Sequence, residues 1–166
     1  YEIIHGLNAL LPNEALARAV YANLQQVGGV EYDESERAFA EALHATLGDD
    51  APPLESASQV QAFQQLRSSG SGSTDVADVS LMVPTAGLSA ATWVPGTAAH
   101  SWQAIAAGGH SIGNKGMLVA AKTLAMTAVD LFTTPNLVEA AKAERLERLG
   151  PDFEYVSLVG DRDPPL

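Results

Sequence analysis

The chain has 166 residues, 46% of them hydrophobic and 17% charged, with a formal net charge of −11 and no cysteine. That length suits one domain or one piece of a larger one, and the apolar content is enough to build a core. So acidic a surface argues against nucleic acid and anionic membranes as partners, since both need clustered Lys and Arg. The absence of cysteine excludes disulfides and thiolate zinc sites and leaves the redox compartment open.

In chain order, Tyr1-Glu2-Ile3-Ile4 opens without an initiator Met or a basic leader and reads as the middle of something, so the chain is expected to be part of a longer protein. Asn13 after Pro12 can cap a helix with the apolar face Leu16, Ala19, Val20, Leu24 and Val27, ended by Gly28-Gly29. Asp33 with Glu36 has the form of a capping box, and Phe39, Leu43 and Leu47 carry the stripe to Gly48. From Asp49 to Gly72 the composition turns to Pro, Ser and Gln, predicting a loop with a short helix over Ser58–Leu66 and a flexible Ser/Gly stretch at 67–73. Val79–Val83 and Leu88–Val94 are short, apolar and partly β-branched, and are predicted as buried strands. The longest helix is predicted over Asn114–Phe132, its Leu118, Ala121, Ala125 and Ala128 face lying on a sheet that contains Leu88–Val94. Thr134-Pro135 starts a last helix that ends near Gly150-Pro151, and the tail from Asp161 is irregular. No run of eighteen apolar residues occurs, so nothing is expected to span a membrane.

Ligand-type side chains concentrate in two places. Ser73-Thr74-Asp75-Val76-Ala77-Asp78-Val79-Ser80 forms an acidic stretch, and Gly96-Thr97-Ala98-Ala99-His100-Ser101-Trp102 presents a histidine among small residues. Carboxylate and imidazole are the usual zinc ligands besides thiolate. His100 is the strongest metal-ligand or catalytic candidate, with a satisfied structural histidine as the alternative. Asp75 and Asp78 can bind a metal, orient a metal-bound imidazole, or simply cap a following turn. His110 sits between glycine and serine where a plain turn serves as well, His5 follows an extended apolar segment, and His44 reads as surface. Lys115 can meet a substrate carboxylate or lie solvated, and Trp93 and Trp102 are expected to pack a core or interface.

These strings, with Ala91-Thr92-Trp93, Asn114-Lys115-Gly116-Met117-Leu118-Val119, Leu10-Leu11-Pro12-Asn13 and Glu36-Arg37-Ala38-Phe39-Ala40, resemble the metal-dependent amidohydrolases that include aminoacylases, hippurate hydrolases and glutamate carboxypeptidases, and in particular members acting on aminobenzoyl-glutamate. The resemblance is co-linear through most of the chain. It implies an α/β fold, the C-terminal half of an αβα-sandwich catalytic domain of zinc-exopeptidase type, without the N-terminal half and lid. Residues 1–6 would end a lid strand and 7–166 would belong to the catalytic domain. His100 falls on the family's last metal ligand and Asp75 on the acidic loop beside it, with Asp78 near. Ala77 stands where a glycine is expected.

The resemblance further implies two divalent ions, zinc or manganese, and a general-base Glu outside these residues. It implies an N-acyl amino acid or dipeptide substrate such as aminobenzoyl-glutamate, a cytoplasmic location, and a homo-oligomer or a heteromer with a related subunit. One ligand cannot hold a catalytic zinc, which takes about three from protein, so these residues alone are expected to be inactive. The alternative is a stand-alone, non-catalytic binding or assembly module that partners a complete hydrolase.

Overall fold

The helices follow from their punctuation. In the computed structural model, which describes residues 3–64 and 74–161, the elements are α1 (Glu14–Val27), α2 (Glu34–His44), a 3-10 turn (Leu54–Ser58), α3 (Val76–Met82), α4 (Trp102–Gly108), α5 (Ser111–Thr133) and α6 (Pro135–Leu149). Asn13 caps α1 by accepting the Leu16 amide at 3.0 Å, and Gly28 ends it at φ 84°, with its N–H on Leu24. The capping box of α2 is formed: Asp33 accepts the Glu36 amide at 2.9 Å, and Glu36 accepts the Asp33 amide at 2.8 Å. The chain divides into two units, each built from separated stretches: Tyr1–Arg18, Gln64–Gly87 and Leu131–Leu166 in the first, Ala19–Phe63 and Leu88–Asp130 in the second.

Polar ties hold the first unit. Asn13 donates its side-chain amide to the Ala141 carbonyl at 2.8 Å, and Glu144 accepts the Glu14 and Ala15 amides, each at 2.8 Å. A carboxylate at a helix N-terminus satisfies orphan donors and complements the helix dipole. Arg145 donates to the Leu81 carbonyl at 2.6 Å, joining α6 to the end of α3. In the second unit, Ala40 and Leu43 of α2, Val94, Ala107 of α4 and Ile112 of α5 make the buried cluster, with Tyr32, Phe39 and Leu54 packed on it. Gly113 and Gly116 let α5 come close: a Cβ on Gly116 would lie 2.6 Å from the Ala91 carbonyl oxygen, and one on Gly113 2.7 Å from that of Gly108.

Several expectations are corrected. Val79–Met82 belongs to helix α3, because Ala77, Ser80 and Leu81 are buried at helical spacing, and that periodicity overrides the β preference of valine. Leu88–Val94 is irregular, with a tight turn from the Thr92 amide to the Ala90 carbonyl, and no strand occurs among the described residues. The αβα layering therefore does not appear within the described residues. The short helix expected over Ser58–Leu66 is instead the 3-10 turn Leu54–Ser58, with 59–64 irregular, as are residues 3–6 of the expected lid strand. The flexible stretch at 67–73 lies outside the described residues.

The long helix is present and is the longest, starting at Ser111 rather than Asn114. It does meet the 88–94 segment, but through Gly116. The buried positions of α5 are Ile112, Gly113, Gly116, Thr123 and Thr127, while the Leu118/Ala121/Ala125/Ala128 face is exposed.

Candidate functional site

His100 lies in a loop whose two ends are fixed. The Thr97 amide bonds to the Val94 carbonyl at 3.1 Å, and Val94 is 1% exposed, so the loop leaves from the core. Gly96 follows at φ 89°, where a Cβ would lie 2.7 Å from the Ala51 methyl, so no side chain fits. On the other side Ser101 caps α4, accepting the Ala104 amide at 3.2 Å and donating to the Ala98 carbonyl at 2.7 Å. Between these points His100 adopts φ 59° and is the one non-glycine residue at positive φ among those described. Histidine tolerates this left-handed conformation better than most residues but still pays for it. Its ring is exposed.

The acidic pair occupies the first unit, whereas His100 belongs to the second. Asp75 takes the N-cap position of α3 without a side-chain cap bond. Asp78 is engaged: it accepts the Asn8 amide at 2.6 Å and the Tyr155 hydroxyl at 3.2 Å. The Asn8 bond in particular holds the Asp78 carboxyl below its ordinary range, while burial and the Asp78 charge push the Tyr155 phenol up. Asp78 thus ties together the segment before α1, α3 and the segment after α6.

Lys115 is partly exposed but committed to partners within the chain. Its ammonium lies 2.5 Å from Glu36, 2.9 Å from the Glu31 carbonyl and 3.9 Å from Asp33. Glu36 is 1% exposed and also accepts the Ser111 hydroxyl at 2.7 Å. Burial pushes its carboxyl up, but the bonds from Lys115, Ser111 and the Asp33 amide outweigh this and hold it below the ordinary range. Lys115 is raised in turn, chiefly by Glu36. The capping glutamate thus doubles as the anchor between α2 and the start of α5, a second use that the capping-box motif alone does not reveal.

The remaining candidates separate. His110 stacks on Phe39 with ring centroids 4.0 Å apart and lies 3.3 Å from the Ser111 hydroxyl, which makes it a packing residue. His44 bonds the Pro52 carbonyl at 2.8 Å and His5 is exposed. Trp102 is 59% exposed on α4, a helix the sequence did not announce, and Trp93 is 36% exposed; neither packs in the core cluster.

A cleft of about 310 Å³ opens in the second unit beside Leu24, Val30, Ala57, Val60, Ala91 and Val119. No titratable side chain lines it, and neither His100 nor either aspartate is among its walls. Among the described residues no three His, Asp or Glu side chains group so as to hold a metal ion. Taken by themselves these residues do not fit a dinuclear centre, and His100 can offer one imidazole to a site completed from elsewhere.

The chain is similar to a p-aminobenzoyl-glutamate hydrolase subunit of Escherichia coli (strain K12). The two are 32% identical in an alignment that covers 82% of this chain and 33% of that protein. The resemblance drawn from the acidic, His100 and Lys115 strings is thereby borne out. The chain spans about a third of the length of the curated relative it matches. No family model matches it, and no solved structure does.

Proposed function

We propose that these residues are the His100-bearing part of a metal-dependent amidohydrolase subunit that cleaves the amide bond of an N-acyl amino acid such as aminobenzoyl-glutamate. The observation that carries this reading is the 32% identity to a hydrolase subunit over most of the chain. The backbone at His100 supports it: left-handed strain in a non-glycine residue persists where its surroundings impose it, and such positions gather at functional sites.

In this reading His100 supplies one neutral imidazole to a divalent ion, zinc or manganese, and the other ligands and the general base come from polypeptide beyond the described residues. Asp75 is exposed at the start of α3, and Asp78 is engaged by Asn8 and Tyr155. The αβα sandwich belongs to the same proposal, with its sheet supplied by residues outside those described here. These residues alone are then inactive, and the working form is an oligomer or a heteromer with a related subunit.

The test is hydrolysis of p-aminobenzoyl-glutamate by the complete subunit, with metal content measured alongside. His100→Ala should lower the rate at least 100-fold and reduce bound metal while the melting temperature stays within a few degrees. Unchanged rate and metal content would remove His100 from the site and leave it a strained loop residue.

A further inference from the structure

Two tight turns stand back to back before α4, and each has a left-handed third residue. The turn Val94–Thr97 is closed by the Thr97 amide on the Val94 carbonyl at 3.1 Å, and its third residue is Gly96, at φ 89°. In the turn Ala98–Ser101 the third residue is His100, at φ 59°. That position in a turn ordinarily calls for glycine. Gly96 answers the call, and a Cβ there would meet Ala51 in any case. His100 does carry a Cβ, and it is exposed, so packing around its side chain does not hold it in place.

The group that joins both sides of His100 is the Ser101 hydroxyl. It donates its one proton to the Ala98 carbonyl at 2.7 Å and accepts the Ala104 amide at 3.2 Å. The first bond ties the end of the turn back to its beginning, and the second ties it forward to α4. That helix is seated in the core through Ala104 and Ala107, which are 7% and 0% exposed. Without the hydroxyl, water can serve the Ala98 carbonyl and the Ala104 amide, and His100 is free to relax to the negative φ that L residues favour. We propose that Ser101 is a positioning residue for His100: one hydroxyl, closing the turn and capping α4, imposes the left-handed backbone and so sets the direction in which the imidazole leaves the chain. The proposal rests on the functional reading of His100 and deepens it, because a reacting group must be held within about 0.5 Å of its working place by a rigid support.

A coupled set of variants separates this role from simple capping. His100→Gly and His100→Ala are made in the complete subunit, each with Ser101 kept and each with Ser101→Ala. The opening of the region is read from hydrogen exchange of the α4 amides. With Ser101 kept, the glycine variant should be about fivefold better protected than the alanine variant, which is the effect of a Cβ at positive φ. With Ser101→Ala that advantage should fall to about twofold or less, because the backbone can then leave the left-handed region. Loss of a cap alone lowers the protection of both variants alike and leaves their ratio as it was. An unchanged ratio therefore overturns the proposal.

Hydrolysis of p-aminobenzoyl-glutamate is the second readout, with His100 native. Ser101→Ala should lower kcat roughly 10- to 100-fold with KM within about threefold, since a displaced group loses rate more than substrate binding. Ser101→Thr keeps the hydroxyl and the cap and should recover most of the rate. A wild-type rate in Ser101→Ala overturns the proposal, because the working imidazole would then not depend on the turn. The two readings separate cleanly: a lost ratio in a subunit that does not hydrolyse this substrate keeps the role of Ser101 and removes the proposed activity, whereas hydrolysis with an unchanged ratio does the reverse.

Discussion

His100 holds φ at 59° between a turn that leaves the core and a serine that caps α4. A side chain with a Cβ costs about 1 kcal/mol in that backbone region, which glycine avoids. His100→Gly should therefore be more stable than His100→Ala by about 1 kcal/mol, read from urea denaturation of the two variants. Equal stabilities would mean that the left-handed backbone is not held in solution. The comparison reads the backbone strain at this position without any substrate.

Glu36 makes a second prediction at the same scale. Its folded carboxyl is held below the ordinary value of 4.5, so it contributes stability that is present above that value and is lost as pH falls through the depressed one. Glu36→Gln keeps the shape but weakens the bonds to Lys115, Ser111 and the Asp33 amide. It should cost roughly 1–3 kcal/mol at neutral pH. The gap between wild type and variant should stay level from pH 7 to about 5 and narrow below that. Lys115 does not titrate in this window, because Glu36 raises it further above 10.5. A gap that is constant down to pH 2 would show that the charge is not what holds the anchor.

At the scale of elements, close packing of α5 depends on Gly116. A Cβ there meets the Ala91 carbonyl oxygen at 2.6 Å and the Thr92 Cα at 2.8 Å, and both are backbone atoms that cannot rotate away. Alanine would favour the helix by up to about 1 kcal/mol, but overpacking against backbone costs more, typically 1–3 kcal/mol or above. Gly116→Ala should lower the melting temperature by several degrees, and an unchanged or raised value would mean that α5 is not seated on residues 91 and 92. The same helix shows what could be read in advance. Caps at Asn13 and Asp33, the Thr134-Pro135 start and the Ala-rich run after Ser111 are local signals, and each marks an element that formed.

Which face of α5 turns inward was not legible, because the helix is apolar on both sides and the inward one is chosen by two glycines. The valines of α3 misled for a related reason: β preference is weak against a helical pattern of burial. His100 was visible as a type in an open setting, but its backbone strain was not, since that depends on where Val94 and Ser101 are pinned. The engagement of Asp78 by Asn8 and Tyr155 joins residues about 70 positions apart on either side and leaves no local trace.

For the whole molecule, the division into units follows the order of the chain unevenly. The second unit closes with Asp130, whereas the first needs residues from both ends. Its polar ties run from Asn13, Glu14 and Ala15 to Ala141 and Glu144, more than 120 positions later. During synthesis at about 5–20 residues per second, the second unit can be complete while α6 is still being made. For roughly 6–26 seconds the first turn of α1 exists with the Glu14 and Ala15 amides open and its capping carboxylate, about 130 residues further on, not yet translated. The start of α1 is therefore secured only once α6 is made, and a nascent-chain chaperone or protease would meet it bare.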